Sequence, residues 1–247
     1  MEKTETIEMV AEKKNMNVVS PRESELRLVI GKVVRIMAHD IRNPLSSLKN
    51  IIELQESGMI SPEDARQMFP LFIRESDRLI KLVTNIADYT DVVLKQEQAV
   101  AKELPLKFVA DEQWCQIENN YKHKHNRFIN RISETIVPIV REDQLVFIFK
   151  NLFDNACKFT ENGTITVTCE SAADKVFISV TDNGVGIRKE ELEKICQPKS
   201  TYNTKGTGNE GGSGLGLFFI REIQQCSDKE FRLTSEPGKR TTASFEI

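Results

Sequence analysis

Met37-Ala38-His39-Asp40-Ile41-Arg42-Asn43-Pro44-Leu45 sits in the middle of a long helical pattern. Ahead of it Leu26, Ile30, Val33 and Met37 recur at steps of 4, 3 and 4; behind it Ile41, Leu45, Leu48 and Ile52 do the same. Both runs describe a helix with a coiled-coil-like seam. The junction inserts an extra step of 4, a stutter that locally unwinds a supercoil. His39 lies two residues from both Met37 and Ile41, so it points roughly 200° from the seam, toward solvent. Pro44 removes a backbone donor and can bend the helix just past the histidine. Read alone, His39-Asp40 is an ordinary exposed pair.

Working outward, the first long helix is predicted from about residue 22 to 57, with 1–21 as a charged, polar linker or tail. Gly58-Met59-Ile60 breaks it. Ser61-Pro62-Glu63-Asp64 then reads as a helix start, with Ser61 as N-cap, Pro62 in the first position and two acids in the first turn. The second helix shows Phe72, Ser76, Leu79, Val83, Ile86, Thr90 and Val93 at alternating steps of 4 and 3. Two long helices on a short loop make an antiparallel hairpin. One hairpin cannot bury two apolar seams, whereas two hairpins forming a four-helix bundle can. A homodimer is therefore expected; a monomer whose second domain covers the seams is the alternative.

The period changes after a linker at 98–105. Leu106 to Val109 reads as a strand, Asp111 to Tyr121 as a helix, and Arg127 to Ile132 and Ile136 to Val140 as strands. Gln144 to Lys158 is apolar-rich and helical. Thr164 to Cys169 and Val176 to Thr181 alternate like a β-hairpin. Arg188 to Cys196 and Leu215 to Cys226 read as helices. Phe231 to Ser235 and Thr241 to Ile247 close a hairpin around Pro237-Gly238. Together 106–247 reads as an α+β domain, a sheet with helices packed on one face. The helical domain preceding it spans 22–97.

Composition narrows the function. The chain has 247 residues, of which 39% are hydrophobic and 29% charged, with a net charge of −3. That balance leaves no strong nucleic-acid footprint. Five scattered cysteines form no CxxC pair and favour a reducing compartment. No apolar run approaches the roughly 20 residues of a membrane helix, and no signal peptide is visible. The expected location is cytoplasmic; if the parent protein is membrane-bound, its sensor part lies outside this chain.

Three segments of the second half carry chemistry. In Asn151-Leu152-Phe153-Asp154-Asn155-Ala156-Cys157-Lys158, residues Asn151, Asn155 and Lys158 share one helix face. Magnesium accepts amide oxygens alongside water and phosphate, and lysine meets phosphate as a point charge. A solvated polar face is the plainer explanation. Asp182-Asn183-Gly184-Val185-Gly186-Ile187 follows a strand. Its carboxylate can accept a hydrogen bond from an exocyclic amine such as that of adenine, and its glycines allow close backbone approach; alone it is also a plain turn. Gly211-Gly212-Ser213-Gly214-Leu215-Gly216-Leu217 opens a helix, where backbone amides form an anion site. Neither GxxxxGK[ST] nor a Rossmann GxGxxG is present. His123 and His125 have no acid or cysteine cluster beside them and read as surface residues.

In this order the segments resemble the ATP-binding (Bergerat-type) domain shared by histidine kinases, type II topoisomerase ATPases and heat-shock chaperone ATPases. Asn151 to Thr160 resembles the N box, Asp182 to Ile187 the first glycine box and Gly212 to Leu217 the second. Pro237 to Phe245 resembles the last hairpin. His39 to Leu45 resembles the phosphoacceptor H box of two-component sensor histidine kinases, and it selects that family over about 25–247. The resemblance implies that Asn155 holds Mg2+, that Asn151 and Lys158 lie near the phosphates of ATP, and that Asp182 binds the adenine amino group. Gly184 and Gly186 would shape the base pocket, and Gly212, Gly214, Leu215 and Gly216 would lie by the triphosphate. Residues 197 to 211 would form a lid, with Lys199 and Lys205 as spare cations. Where the family often has a phenylalanine box, this chain has Ile195-Cys196-Gln197-Pro198-Lys199-Ser200, so lid docking is expected to differ.

His39 would then attack the γ-phosphate, Asp40 would fix its tautomer, and the phosphoryl group would pass to an aspartate on the receiver domain of a response regulator. Asn43, three residues after the acid, resembles the pattern of kinases that also dephosphorylate their regulator. The alternatives are a nucleotide-binding scaffold without turnover and a chaperone- or topoisomerase-type ATPase.

Overall fold

A computed structural model describes residues 31, 41–42, 45–47, 49–94, 100–172, 175–197, 205–208, 210–212 and 214–247. His39, Asp40, Asn43 and Lys199 lie outside the described residues, as do the 1–21 tail and most of the expected lid. Contacts within the chain gather into two units, Met1–Gln67 and Met68–Ile247.

In the first unit, residues 45–47 and 49–56 are helical. The helix ends at Gly58, which takes a left-handed φ of 72°. Gly58 N donates to Gln55 O at 3.0 Å and Met59 N to Leu54 O at 3.0 Å, the paired bonds of a Schellman end, where glycine bears no Cβ penalty. Helix α1 (Pro62–Gln67) is capped as its sequence predicts: Asp64 N donates to Ser61 Oγ at 3.1 Å, and Ser61 Oγ donates back to Asp64 Oδ2 at 2.7 Å.

The second unit opens with α2 (Phe69–Leu94). The break between α1 and α2 at Met68 was not read from the sequence. Pro70 is its cause, since proline lacks the amide that would continue a helix and suits a helix start. The buried face of α2 is Leu82, Ile86, Tyr89 and Val92. It lies beside the seam expected to pair with a second hairpin: Ile86 belongs to both faces, and Val83 is 49% exposed in the single chain. This face is set by packing, because Tyr89 stacks on Phe219 with centroids 4.2 Å apart and tilts against Phe147 at 6.4 Å.

The remainder is a five-stranded sheet with three longer helices. Its strands are β2 (Arg127–Asn130), β4 (Thr164–Ala172), β5 (Lys175–Asp182), β6 (Phe231–Glu236) and β7 (Arg240–Glu246), in the order β2-β4-β5-β7-β6. Only β2 and β4 run parallel. A two-stranded ladder joins β1 (Lys102–Glu103), within the stretch read as a linker, to β3 (Ile139–Val140). The helices are α3 (Leu106–Tyr121), α4 (Glu142–Phe159) and α6 (Gly216–Cys226), with the short α5 (Lys189–Cys196) before the last.

Alternation sets the two faces of the sheet. Val167, Val180 and Ala243 form one cross-strand row, and Cys169, Ile178 and Phe245 another. These rows face the helices, where Phe149 meets Phe245 edge-on at 5.8 Å and stacks on Phe153 at 5.3 Å. The opposite face is hydroxylic: Ser179 and Ser244 share a 2.7 Å bond, and Thr181 and Thr242 a 3.0 Å bond. The domain is thus the expected α+β arrangement with helices on one face.

Leu106 to Val109 is helical, contrary to the strand expected there. Leu106, Val109, Ala110, Gln113, Trp114, Ile117 and Tyr121 are all buried, a stripe at helical spacing that starts directly after Pro105. β2 stops at Asn130 because its side-chain oxygen accepts the Ile132 amide at 3.0 Å, turning the chain. Among the described residues no helix is long and apolar enough to cross a membrane.

Candidate nucleotide site

Helix α4 supplies the polar floor of the site. Its apolar residues Leu145, Ile148, Phe149, Leu152, Phe153 and Ala156 are buried, which fixes the rotation of the helix and turns the amide stripe toward the opening. Asn151 Nδ2 donates to Phe147 O at 2.9 Å. The Asn155 side chain makes no hydrogen bond to another described residue, and it lines the cavity. Lys158 is paired with Asp154, whose other oxygen accepts the Tyr121 hydroxyl at 2.6 Å.

Asp182 ends β5. It is only 7% exposed, yet well supplied with donors: Gly184 N at 3.0 Å and Thr160 Oγ1 at 3.3 Å. Burial pushes its pKa up to about 6, against those hydrogen bonds, which favour the carboxylate. A buried acceptor at a strand end suits an exocyclic amine better than bulk water.

The glycines make close approaches. A Cβ on Gly216 would stand 2.5 Å from Asn151 Oδ1, and one on Gly184 would stand 2.1 Å from Phe159 O. Gly186 has φ +65° and would place a Cβ 2.2 Å from Glu236 O. Helix α6 begins at Gly216 with no side-chain cap among the described residues, and the amides of a helix start suit an anion.

These parts converge on one cavity of about 290 Å³. Of the residues expected from sequence, Asn151, Asn155, Lys158, Asp182, Gly186, Lys205, Gly212, Gly214 and Gly216 line it. Gly184 and Leu215 do not; Leu215 is buried at the start of α6, and Gly184 packs on Phe159. The cavity also draws on residues that sequence reading passed over: Asn85, Asp154, Glu191, Arg221, Leu233 and Thr241. Asp154 was legible in principle, four residues before Lys158 on one helix face. Asn85 was not, because only the docking of α2 brings it here. His123 is exposed, as expected, with its ring 3.9 Å from Glu210.

Comparison with known proteins places the chain in a family. Residues 140–247 match the family described as "Histidine kinase-, DNA gyrase B-, and HSP90-like ATPase", and residues 30–92 match "His Kinase A (phospho-acceptor) domain". The chain belongs to the sensor histidine kinases. It is their catalytic core: the phosphoacceptor helices followed by the ATPase domain, which implies ATP binding. Sensor histidine kinase YclK of Bacillus subtilis is 24% identical over 83% of this chain and 44% of its own length. The autoinducer 2 sensor kinase/phosphatase LuxQ of Vibrio cholerae is 27% identical over 98% of this chain and 29% of its own. The kinase core thus spans less than half the length of these curated relatives. In fold it is similar to histidine kinase ThkA in its solved complex with the response regulator TrrA, with TM-score 0.65, 23% identity, and coverage of 100% of this chain and 67% of that one.

Proposed function

We propose that this kinase core transfers the γ-phosphoryl group of ATP to His39 and then to an aspartate on a response regulator. The observation that carries the reading is the convergence of Asn155, Lys158, Asp182, Gly212, Gly214 and Gly216 on one cavity, in a chain whose residues 30–92 match a phosphoacceptor domain. Asp182 accepts the adenine amino group. Lys158, Lys205 and the amides opening α6 take the phosphates.

Asn155 fits a magnesium ion. Its amide oxygen is uncommitted on the cavity wall, and among the described residues no group of three or more His, Cys, Asp or Glu could hold a metal on its own. Such an ion would be held jointly with phosphate oxygens and water. When bound, magnesium neutralises charge on the β- and γ-phosphates.

In the transfer, a neutral ring nitrogen of His39 forms the N–P bond as the bond from Pγ to the β,γ-bridging oxygen breaks. ADP leaves with that electron pair. Asp40 accepts a hydrogen bond from the other ring nitrogen, fixing the tautomer and accepting the proton that the phosphorylated ring releases. Asn43 orients a water for attack on the regulator's aspartyl phosphate, a reading supported by the name of the kinase/phosphatase LuxQ. The active form is a homodimer built on the phosphoacceptor helices, acting in the cytoplasm, with the receiver domain docking near His39.

Incubation with γ-labelled ATP and magnesium, beside His39→Ala, tests this. Acid-labile, base-stable label on the unmutated protein alone is the expected result. Tight ATP binding without label would overturn the kinase reading in favour of a nucleotide-binding scaffold.

A further inference from the structure

Lys124 is 1% exposed, in the turn that follows α3. An ammonium group so deeply buried is expensive unless every proton finds an acceptor. All three do. Lys124 Nζ donates to Lys158 O at 2.6 Å and to Thr207 Oγ1 at 2.9 Å, and it pairs with Glu210 Oε1 at 2.6 Å. Nothing in the proposed chemistry uses this side chain.

Its partners show what it holds. Thr207 N donates to Lys158 O at 3.0 Å, and Gly206 N to Glu210 O at 3.0 Å. Gly208 N reaches Glu210 Oε2 at 2.9 Å. A Cβ on Gly206 would stand 2.4 Å from Glu210 Oε2 and 2.7 Å from Lys158 O, so the turn is seated tightly on the end of α4. Lys205 precedes that turn and Gly212 lies two residues beyond Glu210, and both line the cavity. Lys158, whose carbonyl takes the same ammonium, lines it too.

We infer that Lys124 is a positioning residue for the phosphate end of the nucleotide site: it staples Thr207 and Glu210 to the carbonyl of Lys158. Through that staple it sets Lys205, Gly212 and Lys158 around one space. A buried ion pair is a weak source of stability but can fix a geometry that an apolar side chain would leave loose. The base end, built on Asp182, Gly186 and Thr241, has no bond to Lys124. The inference rests on the proposed reading of the cavity as an ATP site.

The test separates the two ends of the ligand. ATP binding is measured by calorimetry and adenosine binding by NMR titration, for the unmutated chain, Lys124→Met and Glu210→Gln. Lys124→Met is expected to weaken ATP about tenfold while adenosine stays within about twofold. Glu210→Gln keeps the turn's hydrogen-bonding shape and removes the charge; it should weaken ATP about threefold with adenosine again unchanged. It keeps the test decisive if Lys124→Met does not fold. A purely structural role for Lys124 would weaken both ligands by the same factor, or neither, and either result overturns the proposal. If the unmutated chain binds neither ligand, the ATP reading itself falls and the proposal with it.

Discussion

The Tyr121 hydroxyl donates a 2.6 Å hydrogen bond to Asp154 Oδ1, and the second oxygen of that carboxylate pairs with Lys158. Burial, and then the neighbouring Asp154 charge, push the Tyr121 pKa far above the usual phenol value, so it stays a donor at any working pH. Lys158 is thereby held at its ammonium as well as at its carbonyl. Tyr121→Phe should cost about 1–3 kcal/mol of stability, since it leaves a half-buried carboxylate oxygen without its donor. The check is urea unfolding, with a lowered midpoint and an unchanged slope.

Asp182 gives a pH prediction with a definite sign. Its folded pKa of about 6 lies above the ordinary 3.8. Between those values the folded state binds more protons than the unfolded one, so this group favours folding at low pH and loses that contribution as pH rises through about 6. Binding runs the other way, because the adenine amine needs the ionised acceptor. ATP affinity should fall as pH drops below about 6, by up to tenfold per unit. In Asp182→Asn that step should vanish and ATP should bind weakly at all pH, while the fold at pH 7 is as stable or more so. Calorimetry and thermal melts across the range, run in parallel on both proteins, read the two effects separately.

The glycine run makes a contrast between neighbours. A Cβ on Gly216 would stand 2.5 Å from Asn151 Oδ1, whereas one on Gly211 would meet nothing within 4 Å. Asn151 cannot retreat freely, because its amide is already bonded to Phe147 O. Gly216→Ala should therefore weaken ATP by at least about tenfold. Gly211→Ala should bind within about twofold and gain a few tenths of a kcal/mol from a stiffer unfolded chain. Equal effects at both positions would show that glycine content, not this contact, governs the run.

Local chemistry was legible and long-range docking was not. Asn151, Asn155 and Lys158 were readable because helical periodicity alone puts them on one stripe. Ser61 was readable because a cap acts within one turn. Gly184 and Leu215 carried motif positions, but their surroundings depend on what α4 and α6 pack against. The helical start of α3 was lost because Leu106 to Val109 is too short an apolar run to tell helix from strand. Lys124 gave no signal at all: between His123 and His125 it reads as surface, and only the fold brings Thr207 and Glu210 to it. A second face of α2, the one buried within the chain, went unread for the same reason, since the spacing displays one seam while packing against Phe147 and Phe219 selects another.

That second face yields the last prediction. Tyr89 is stacked on Phe219 at 4.2 Å, Asp88 pairs with Lys150 at 2.5 Å, and Arg141 Nη2 donates to Val92 O at 2.8 Å. The Tyr89 hydroxyl, however, is buried and has no hydrogen-bond partner among the described residues, and burial raises its pKa well above the usual range. The ring and the hydroxyl therefore pull in opposite directions. Tyr89→Phe keeps the stack and removes an unsatisfied polar group, so it should be neutral or stabilising by up to about 1 kcal/mol. Tyr89→Ala removes the stack, leaves a cavity beside Phe219 and Phe147, and should cost about 3 kcal/mol or more. Hydrogen exchange locates the loss: residues 82–94 should lose protection in Tyr89→Ala while β4, β5 and β7 keep theirs. Loss of protection across the whole sheet would mean that α2 is integral to the catalytic domain rather than docked on it, and unchanged protection at 82–94 would mean that the stack does not hold the helix.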